Sequence, residues 1–375
     1  MFNHLLAGVY NLNIQQVGMY IIGGILIYLA IKKDYEPMLL LPIGFGAILT
    51  NIPVIPGVPG IASADGVLGL LKEAGIMTEL FPALIFIAIG AMMDFGPLLS
   101  MPSMLFFGAA AQFGIFATLL VALALGFDIK DAASIGIIGA ADGPTSIFVA
   151  SRFSPRLFGA ISVAAYSYMS LVPIIQPKVI KLLTSSEERK IKMKYKSLQI
   201  SKTVRILFPI LVTIIAGIIA PMSVTLIGLL MFGNLIRESG VLQRLSNAAQ
   251  NELSNLVTLL LGITIGATMD AANFITLETG IIMLLGLVAF IFDTAGGVLF
   301  AKFLNLFVKD KYNPMVGAAG ISAFPMSSRV IQKLAKEEDP HNFILMQAAS
   351  ANVAGQIGSI IAGSVIIALL SQGGF

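Results

Sequence analysis

Long apolar stretches separated by short polar breaks run through almost the whole chain. They fall at roughly 17–31, 37–56, 80–96, 104–127, 132–151, 157–183, 206–236, 256–269, 280–307, 313–328 and 343–370. No stretch shows the period-2 alternation of a lipid-facing strand, so a membrane barrel is not expected. A segment in lipid must satisfy its own backbone N–H and C=O groups, and a helix does so. At about 20 apolar residues per crossing, the pattern predicts an all-α polytopic membrane protein with about nine to eleven transmembrane helices. Several runs are too long for one simple crossing, and others are interrupted by Gly and Pro. Discontinuous helices are therefore expected among them.

One polar segment divides the pattern. Residues 184–205 read TSSEERKIKMKYKSLQISKTVR, with Arg189, Lys190, Lys192, Lys194, Lys196, Lys202 and Arg205 set against Glu187 and Glu188. A basic linker of this kind is expected on the cytoplasmic side, either as a topology signal or as a docking surface for an acidic soluble partner. Tyr195 follows Met193-Lys194, so the Met-Lys-Met of a biotin-attachment site is absent and covalent biotin is not expected here. The first basic pair, Lys32-Lys33, comes after the first apolar run, which places the amino terminus outside.

The linker separates a first half, 1–183, from a second half, 206–375, and the halves resemble one another. Ile87-Ala88-Ile89-Gly90-Ala91-Met92-Met93-Asp94 matches Ile263-Thr264-Ile265-Gly266-Ala267-Thr268-Met269-Asp270 at six of eight positions. Gly139-Ala140-Ala141 then matches Gly317-Ala318-Ala319, and Pro155 with Ala164-Ala165 matches Pro340 with Ala348-Ala349. Internal repeats in helical membrane proteins point to transporters, with the site at the repeat interface near the bilayer midplane. Inverted topology is the expectation.

Composition narrows the class. Of 375 residues, 57% are hydrophobic and 11% charged, and the mean hydropathy is +0.92. A soluble domain carries about 25% charged residues, so nucleic-acid binders, disordered scaffolds and secreted domains are excluded. With no cysteine there is no disulfide, thiolate or sulfur metal site. Only His4 and His341 are present, which removes HExxH zinc chemistry and disfavours a Ser-His-Asp triad. Residues 1–16 lack the basic n-region and small-residue cleavage site of a signal peptide.

The most informative segment is Gly139-Ala140-Ala141-Asp142-Gly143-Pro144-Thr145-Ser146, inside an apolar run with no charge after Asp142 until Arg152. A carboxylate at mid-membrane costs about 2.5–3.5 kcal/mol on insertion scales, so it is expected to face a cavity, hold a cation or be protonated. Pro144 breaks the helix and frees carbonyl oxygens beside it. Carboxylate, carbonyls and the Thr145 and Ser146 hydroxyls make an all-oxygen set suited to a hard cation such as Na+. In the second half, the run from Asn313 to Arg329 breaks at Pro325, with Gly320 in the place of Asp142 and hydroxyls from Ser322, Ser327 and Ser328. Arg329 is either an interfacial anchor or an anion-binding group. The last run carries Gln347, Ser350, Asn352 and Gln356, with Asn352 and Gln356 on one helix face. Such amides usually join helices. Tyr166 and Tyr168 lie in the matching run of the first half, as packing or as proton-relay hydroxyls. Asp94 and Asp270 read as helix caps. Asp293 is a further intramembrane carboxylate without an assigned role.

At these residues the chain resembles the β subunits of the sodium-pumping biotin-dependent decarboxylases, which act on oxaloacetate, methylmalonyl-CoA or glutaconyl-CoA. The similarity runs from Glu36-Pro37 to the carboxy terminus and is carried by GAADGPTS (139–146), AAYSYMSLVPIIQP (164–177), FGNLIRESG (232–240) and ANVAGQIGS (351–359). The resemblance implies that the chain decarboxylates carboxybiotin, delivered by a biotin carrier subunit, and couples this to Na+ export across the bacterial inner membrane. It implies a carboxyltransferase subunit and a small membrane subunit as further partners, and a homo-oligomer. The family's essential aspartate falls on Asp142 and its tyrosine on Tyr168. Its remaining polar group falls on Asn313, Gly317, Ser322, Arg329 and Asn352. On this reading Asp142, Asn313, Gly317, Ser322 and Asn352 hold Na+, Arg329, Ser322 and Tyr168 meet carboxybiotin, and Asp142, Tyr168 and Arg329 serve the reaction. The region around 52–80 is short beside the oxaloacetate-type members, which argues against that substrate. A Na+-coupled symporter of a small organic solute would share the repeat and the broken helices. A membrane anchor without transport would not explain Asp142 beside Gly143-Pro144.

Overall fold

The computed structural model describes residues 7–54, 59–195, 199–219 and 221–372. His4 and Lys196 lie outside the described residues. Within them, every regular element is helical. The first half runs through α1 (Ile14–Lys33), α2 (Pro37–Thr50), α3 (Leu80–Met92) and α4 (Met104–Ala124). It continues with a broken pair, α5 (Ile129–Gly136) and α6 (Gly143–Phe153), and then α7 (Phe158–Leu183). The second half repeats that order. It has α8 (Lys202–Ile219), α9 (Val224–Ser239), α10 (Ser254–Ala267) and α11 (Leu277–Leu304), then the broken pair α12 (Pro314–Ala318) and α13 (Met326–Glu338), and α14 (Leu345–Gln372).

Among the described residues, five helices are long and apolar enough to cross a membrane: α1, α4, α7, α11 and α14. A sixth results if Val67–Met77 and α3, bent by 60° at their junction, form one span. This is fewer than nine to eleven because several apolar helices are short or interrupted: α8 has 18 residues, α9 has 16 and α10 has 14. α2 has only 14 residues, short of the about 20 that a crossing uses. The two broken pairs are interrupted by non-helical or 3₁₀ tips.

The halves interlock by exchanging partners. α1 packs on α2 and α8 on α9, but the next contacts cross over: α2 lies against α10, and α9 against α3. Likewise α7 packs on α11 of the other half, and α14 on α4. The repeated Gly90 and Gly266 explain why these positions read alike. A Cβ at Gly90 would lie 1.8 Å from the Leu230 carbonyl oxygen, and one at Gly233 would lie 2.0 Å from that of Ile87. The second crossing is built the same way. A Cβ at Gly266 would sit 2.2 Å from Ile43 O, and one at Gly46 would sit 2.4 Å from Ile263 O. Both helix pairs thus touch backbone to backbone through small residues, as membrane helices do where lipid removes the hydrophobic drive.

Buried amides finish each crossing. Asn51 donates to Met269 O (2.8 Å) and accepts from Ala271 N (2.8 Å), and Thr50 donates to Ala267 O (3.0 Å). At the other crossing Asn234 donates to Met93 O (2.9 Å) and Arg237 to Met92 O (2.8 Å). α2 and α10 therefore end together, as do α3 and α9. α14 is the most enclosed of the spanning helices, with 67% of its apolar window buried, whereas α1 has 22% and faces outward with Ile21, Ile25 and Tyr28.

Gly266→Val and Gly90→Val should each force a helix pair apart. Overpacking of this kind costs on the order of 3 kcal/mol. Both variants should lose a clear part of their thermal stability in detergent and elute as aggregated species on size exclusion, whereas Gly24→Ala, where added carbon meets nothing within 4 Å, should behave as the parent does.

Candidate functional site

The two broken helix pairs meet tip to tip. In the first, a 3₁₀ turn over Ile137–Ala140 follows α5, and Ala141 adopts a left-handed backbone (φ 52°) that reverses the chain. Asp142 then takes the extended cap position, followed by Gly143 and Pro144 in the first turn of α6. Proline fits there because the first helical N–H has no intrahelical partner to lose. In the second pair, Asn313 caps α12 by accepting from Met315 N (3.1 Å), and the chain leaves helix until Met326. The tips are joined where Ser322 N donates to Ala140 O (2.9 Å). Gln176 of α7 holds the second tip through Ala318 O (2.7 Å) and Ser327 Oγ (2.9 Å).

Asp142 sits at this crossing, 2% exposed. Its Oδ2 accepts from Thr145 Oγ1, Gln356 Nε2 and Ser359 Oγ, each at 2.7 Å, and its Oδ1 from Thr145 N at 3.3 Å. All four donors are neutral, so the carboxylate is solvated by protein dipoles. Thr145, Ser359 and Gln356 also own oxygen lone pairs that a hydroxyl rotation or amide turn can present to a cation. Ser322 Oγ donates to Gly355 O (2.8 Å), and Asn352 Nδ2 to Ile321 O (2.7 Å). Asn352 Oδ1 is buried and has no hydrogen-bond partner. An amide oxygen left bare in a membrane core is an acceptor waiting for a donor or a cation.

The structure brings Asp142, Ser322 and Asn352 to one crossing and engages the other expected residues elsewhere. Gly317 is a contact glycine: an added Cβ would lie 2.0 Å from Gly297 O of α11. Tyr168 donates from its hydroxyl to Met283 O, in the seam between α7 and α11. Tyr166 is the tyrosine whose ring lies on Gly143, the residue after Asp142, and its buried hydroxyl has no partner. Arg329 is exposed, on the rim of a cavity of about 480 Å³ that Lys333 and Lys336 also line. Asp94 caps locally, accepting from Gly96 N (2.8 Å), whereas Asp270 makes no side-chain cap. Asp293 is fully buried: one oxygen accepts from Gly114 N, where α4 turns, and the other has no partner.

Gln356 and Ser359 are the direct partners of Asp142 that sequence reasoning leaves out of the site. The signal is present: Asn352, Gln356 and Ser359 follow at i, i+4 and i+7 and share one face of α14.

Asn313 is 0% exposed and lies at the far end of its hairpin, beneath the basic linker. Its amide donates to Arg189 O (2.7 Å) and Ile191 O (2.9 Å). The linker is also tied by Arg189 to Glu338 (2.6 Å) and by Lys302 to Glu188 (3.1 Å). Burial pushes both carboxyls up, but hydrogen bonds outweigh it. Those from Ser185 and Lys302 hold Glu188, and those from Arg189 and Ser186 hold Glu338, below the ordinary 4.5.

Residues 15–370 match the family described as the Na+-transporting oxaloacetate decarboxylase beta subunit. The chain is 52% identical over 352 residues to the glutaconyl-CoA decarboxylase subunit beta of Acidaminococcus fermentans, covering 94% of this chain and 92% of that one. It is 51% identical over 354 residues to the methylmalonyl-CoA decarboxylase subunit beta of Veillonella parvula, covering 94% and 93%. Against the oxaloacetate decarboxylase beta chain 2 of Salmonella typhi it is 44% identical over 417 aligned positions, covering 96% of both. That alignment is longer than the 375 residues of this chain, so the relative carries insertions.

Gln356→Leu should strand the Asp142 carboxylate without one of its donors. Thr145 and Ser359 remain as donors, so the cost is that of one hydrogen bond to a charged group, about 1.5–3 kcal/mol, and it should appear as a lower Tm in detergent. The linker should respond to pH. A carboxyl lowered on folding contributes stability above its ordinary value and loses it as pH falls through the lowered one. With both ordinary values at 4.5, a nitroxide on Lys190→Cys should become mobile as pH drops below that point and stay ordered above it.

Proposed function

This chain belongs to the family of beta subunits of Na+-transporting decarboxylases, and we propose that its own part is to decarboxylate carboxybiotin and drive Na+ outward at the crossing of the two broken helices. The observation that carries the reading is Asp142: a buried carboxylate met only by neutral, oxygen-bearing groups, with the bare amide oxygen of Asn352 on the same face of α14 as its partner Gln356. The family names favour this reading over a solute symporter. Carboxybiotin arrives on a biotin carrier subunit. A carboxyltransferase subunit supplies it, and a small membrane subunit and further copies of this chain complete the assembly in the bacterial inner membrane.

Na+ is held by Asp142 with oxygens from Thr145, Ser359, Gln356 and Asn352, while the backbone around Ser322 closes the set. Arg329 suits the carboxylate of carboxybiotin, because it is exposed beside Lys333 and Lys336 in a cavity wide enough for a flat bicyclic head. In the reaction the N–CO2 bond breaks, the electron pair stays on the ureido nitrogen, and that nitrogen takes a proton as CO2 leaves. Asp142 passes that proton, or Tyr168 does once its hydroxyl has left Met283 O. Removing water from the carboxylate favours the step, since its charge spreads in the transition state.

The fold supports transport by two opposed repeats. α2 ends beside α10 at one end of the bundle, and α3 beside α9 at the other. On this reading α1 and its counterpart α8 run in opposite senses, and the two hairpins enter from opposite ends. With the basic linker and Lys32-Lys33 at one end, that end is cytoplasmic by the positive-inside rule.

Asp142→Asn should abolish Na+ uptake into inside-out vesicles and lower Na+-dependent carboxybiotin decay at least 100-fold; retained pumping would overturn the assignment. Arg329→Ala should raise the KM for carboxybiotin by tenfold or more and leave the Na+ dependence unchanged.

A further inference from the structure

A linker with this many basic residues ought to be solvated. Instead, its backbone is gripped by three amide side chains from three different places. Asn313, at the start of α12, donates to Arg189 O (2.7 Å) and Ile191 O (2.9 Å). Asn342, in the loop before α14, reaches the same two oxygens (3.2 and 3.4 Å). Gln347, in the first turn of α14, donates to Met193 O (3.1 Å). These amides are 0%, 0% and 1% exposed, so the linker is what covers them. Ion pairs flank the grip on both sides. Arg189 meets Glu338 (2.6 Å) and Lys192 meets Asp339 (2.9 Å), both at the end of α13, while Glu188 meets Lys302 of α11 (3.1 Å).

We infer that residues 185–193 form a strap that closes the α12–α13 side of the site, and that it lifts to admit Na+. The inference rests on the function proposed above. Three features argue for a moving part. The fastening is polar apart from Met193, which packs on the core, and water can replace hydrogen bonds and ion pairs of this kind as the strap leaves, which it could not do for an apolar seam. A cavity of about 530 Å³, lined by Ile191–Lys194 together with Met104 and Tyr312, gives the outer strap room to shift. Finally, the Asn313 amide is fully committed while the strap is down: its nitrogen holds two strap carbonyls and its oxygen caps α12. Asn313 is then a positioning residue in the closed state, and strap release is what frees its amide for a ligand.

The chain has no cysteine, so the strap can be fastened at will. In the assembled complex, Lys192→Cys with Asp339→Cys should be bridged by a short bis-methanethiosulfonate. Bridging should lower Na+-dependent carboxybiotin decay and Na+ transport at least tenfold, and dithiothreitol should restore both. Neither single variant, nor the parent complex, should respond to the reagent. A bridged enzyme, verified by mass spectrometry, that turns over at the unbridged rate would overturn the strap. A nitroxide on Lys190→Cys gives a second reading if the double variant is inactive when reduced. Its spectrum should sharpen on adding Na+ and carboxybiotin, and an unchanged spectrum also overturns the strap. A parent complex whose carboxybiotin decay ignores Na+ would instead strike the proposed function.

Discussion

A negative charge cannot be carried into the middle of a membrane without something to replace water. Here the replacement is a set of neutral dipoles around Asp142, drawn from its own helix start and from α14. No basic side chain is among its donors. A fixed ammonium or guanidinium would neutralise the carboxylate permanently and leave nothing for a mobile cation to do. Neutral donors stabilise the anion less, since an ion pair is the stronger compensation in a medium of low dielectric. The site is thereby left able to exchange hydrogen bonds for a metal ion. The reversed chain at Ala141 and the proline in the first turn of α6 exist to bring that carboxylate to the crossing.

The exchange of helices between halves serves the same end. Because α2 packs on α10 and α9 on α3, the two halves cannot separate as two bodies side by side. Glycines at both crossings bring the backbones into direct contact, which makes a stiff frame. The broken pairs also pack closely, with Gly317 against Gly297 of α11, but their outer ends carry exchangeable polar contacts: Arg152 with Glu79 in the first pair, and Glu338 of the second with Arg189 of the linker. Close contact within the bundle and exchangeable contact at the outer ends divide the labour that a pump needs.

Much of this is legible in the sequence, and the boundary has physical causes. An aspartate beside Gly-Pro in an apolar run is a local signal, so the broken helix and its carboxylate can be read directly. The repeated Gly90 and Gly266 can be seen as matching, but why they match needs the partner helices, Gly233 and Gly46, which lie far away in the chain. The partners of Asp142 are hidden for a related reason. Asn352, Gln356 and Ser359 share a face, and only the axial position of α14 against α6 decides that Gln356 and Ser359, not Asn352, reach the carboxylate. The span count is obscured by α2 and the broken pairs, which are apolar enough to suggest crossings yet too short or too interrupted to be simple ones. The linker misleads most. Its charge reads as solvated surface, whereas its backbone carbonyls, which sequence cannot display, are what the protein holds.

The bond from Ser322 N to Ala140 O also bears on how the membrane voltage is felt. On the proposed arrangement, two hairpins that enter from opposite faces and meet at their tips leave a thin insulating septum between them. A potential falls across whatever excludes ions, so on the proposed path most of it drops over those few residues. Moving one charge through the full field is worth about 2.3 kcal/mol per 100 mV. A cation stepping past Asp142 would meet nearly all of that opposition within a single short displacement, and the work of pumping is concentrated where the two chain reversals touch.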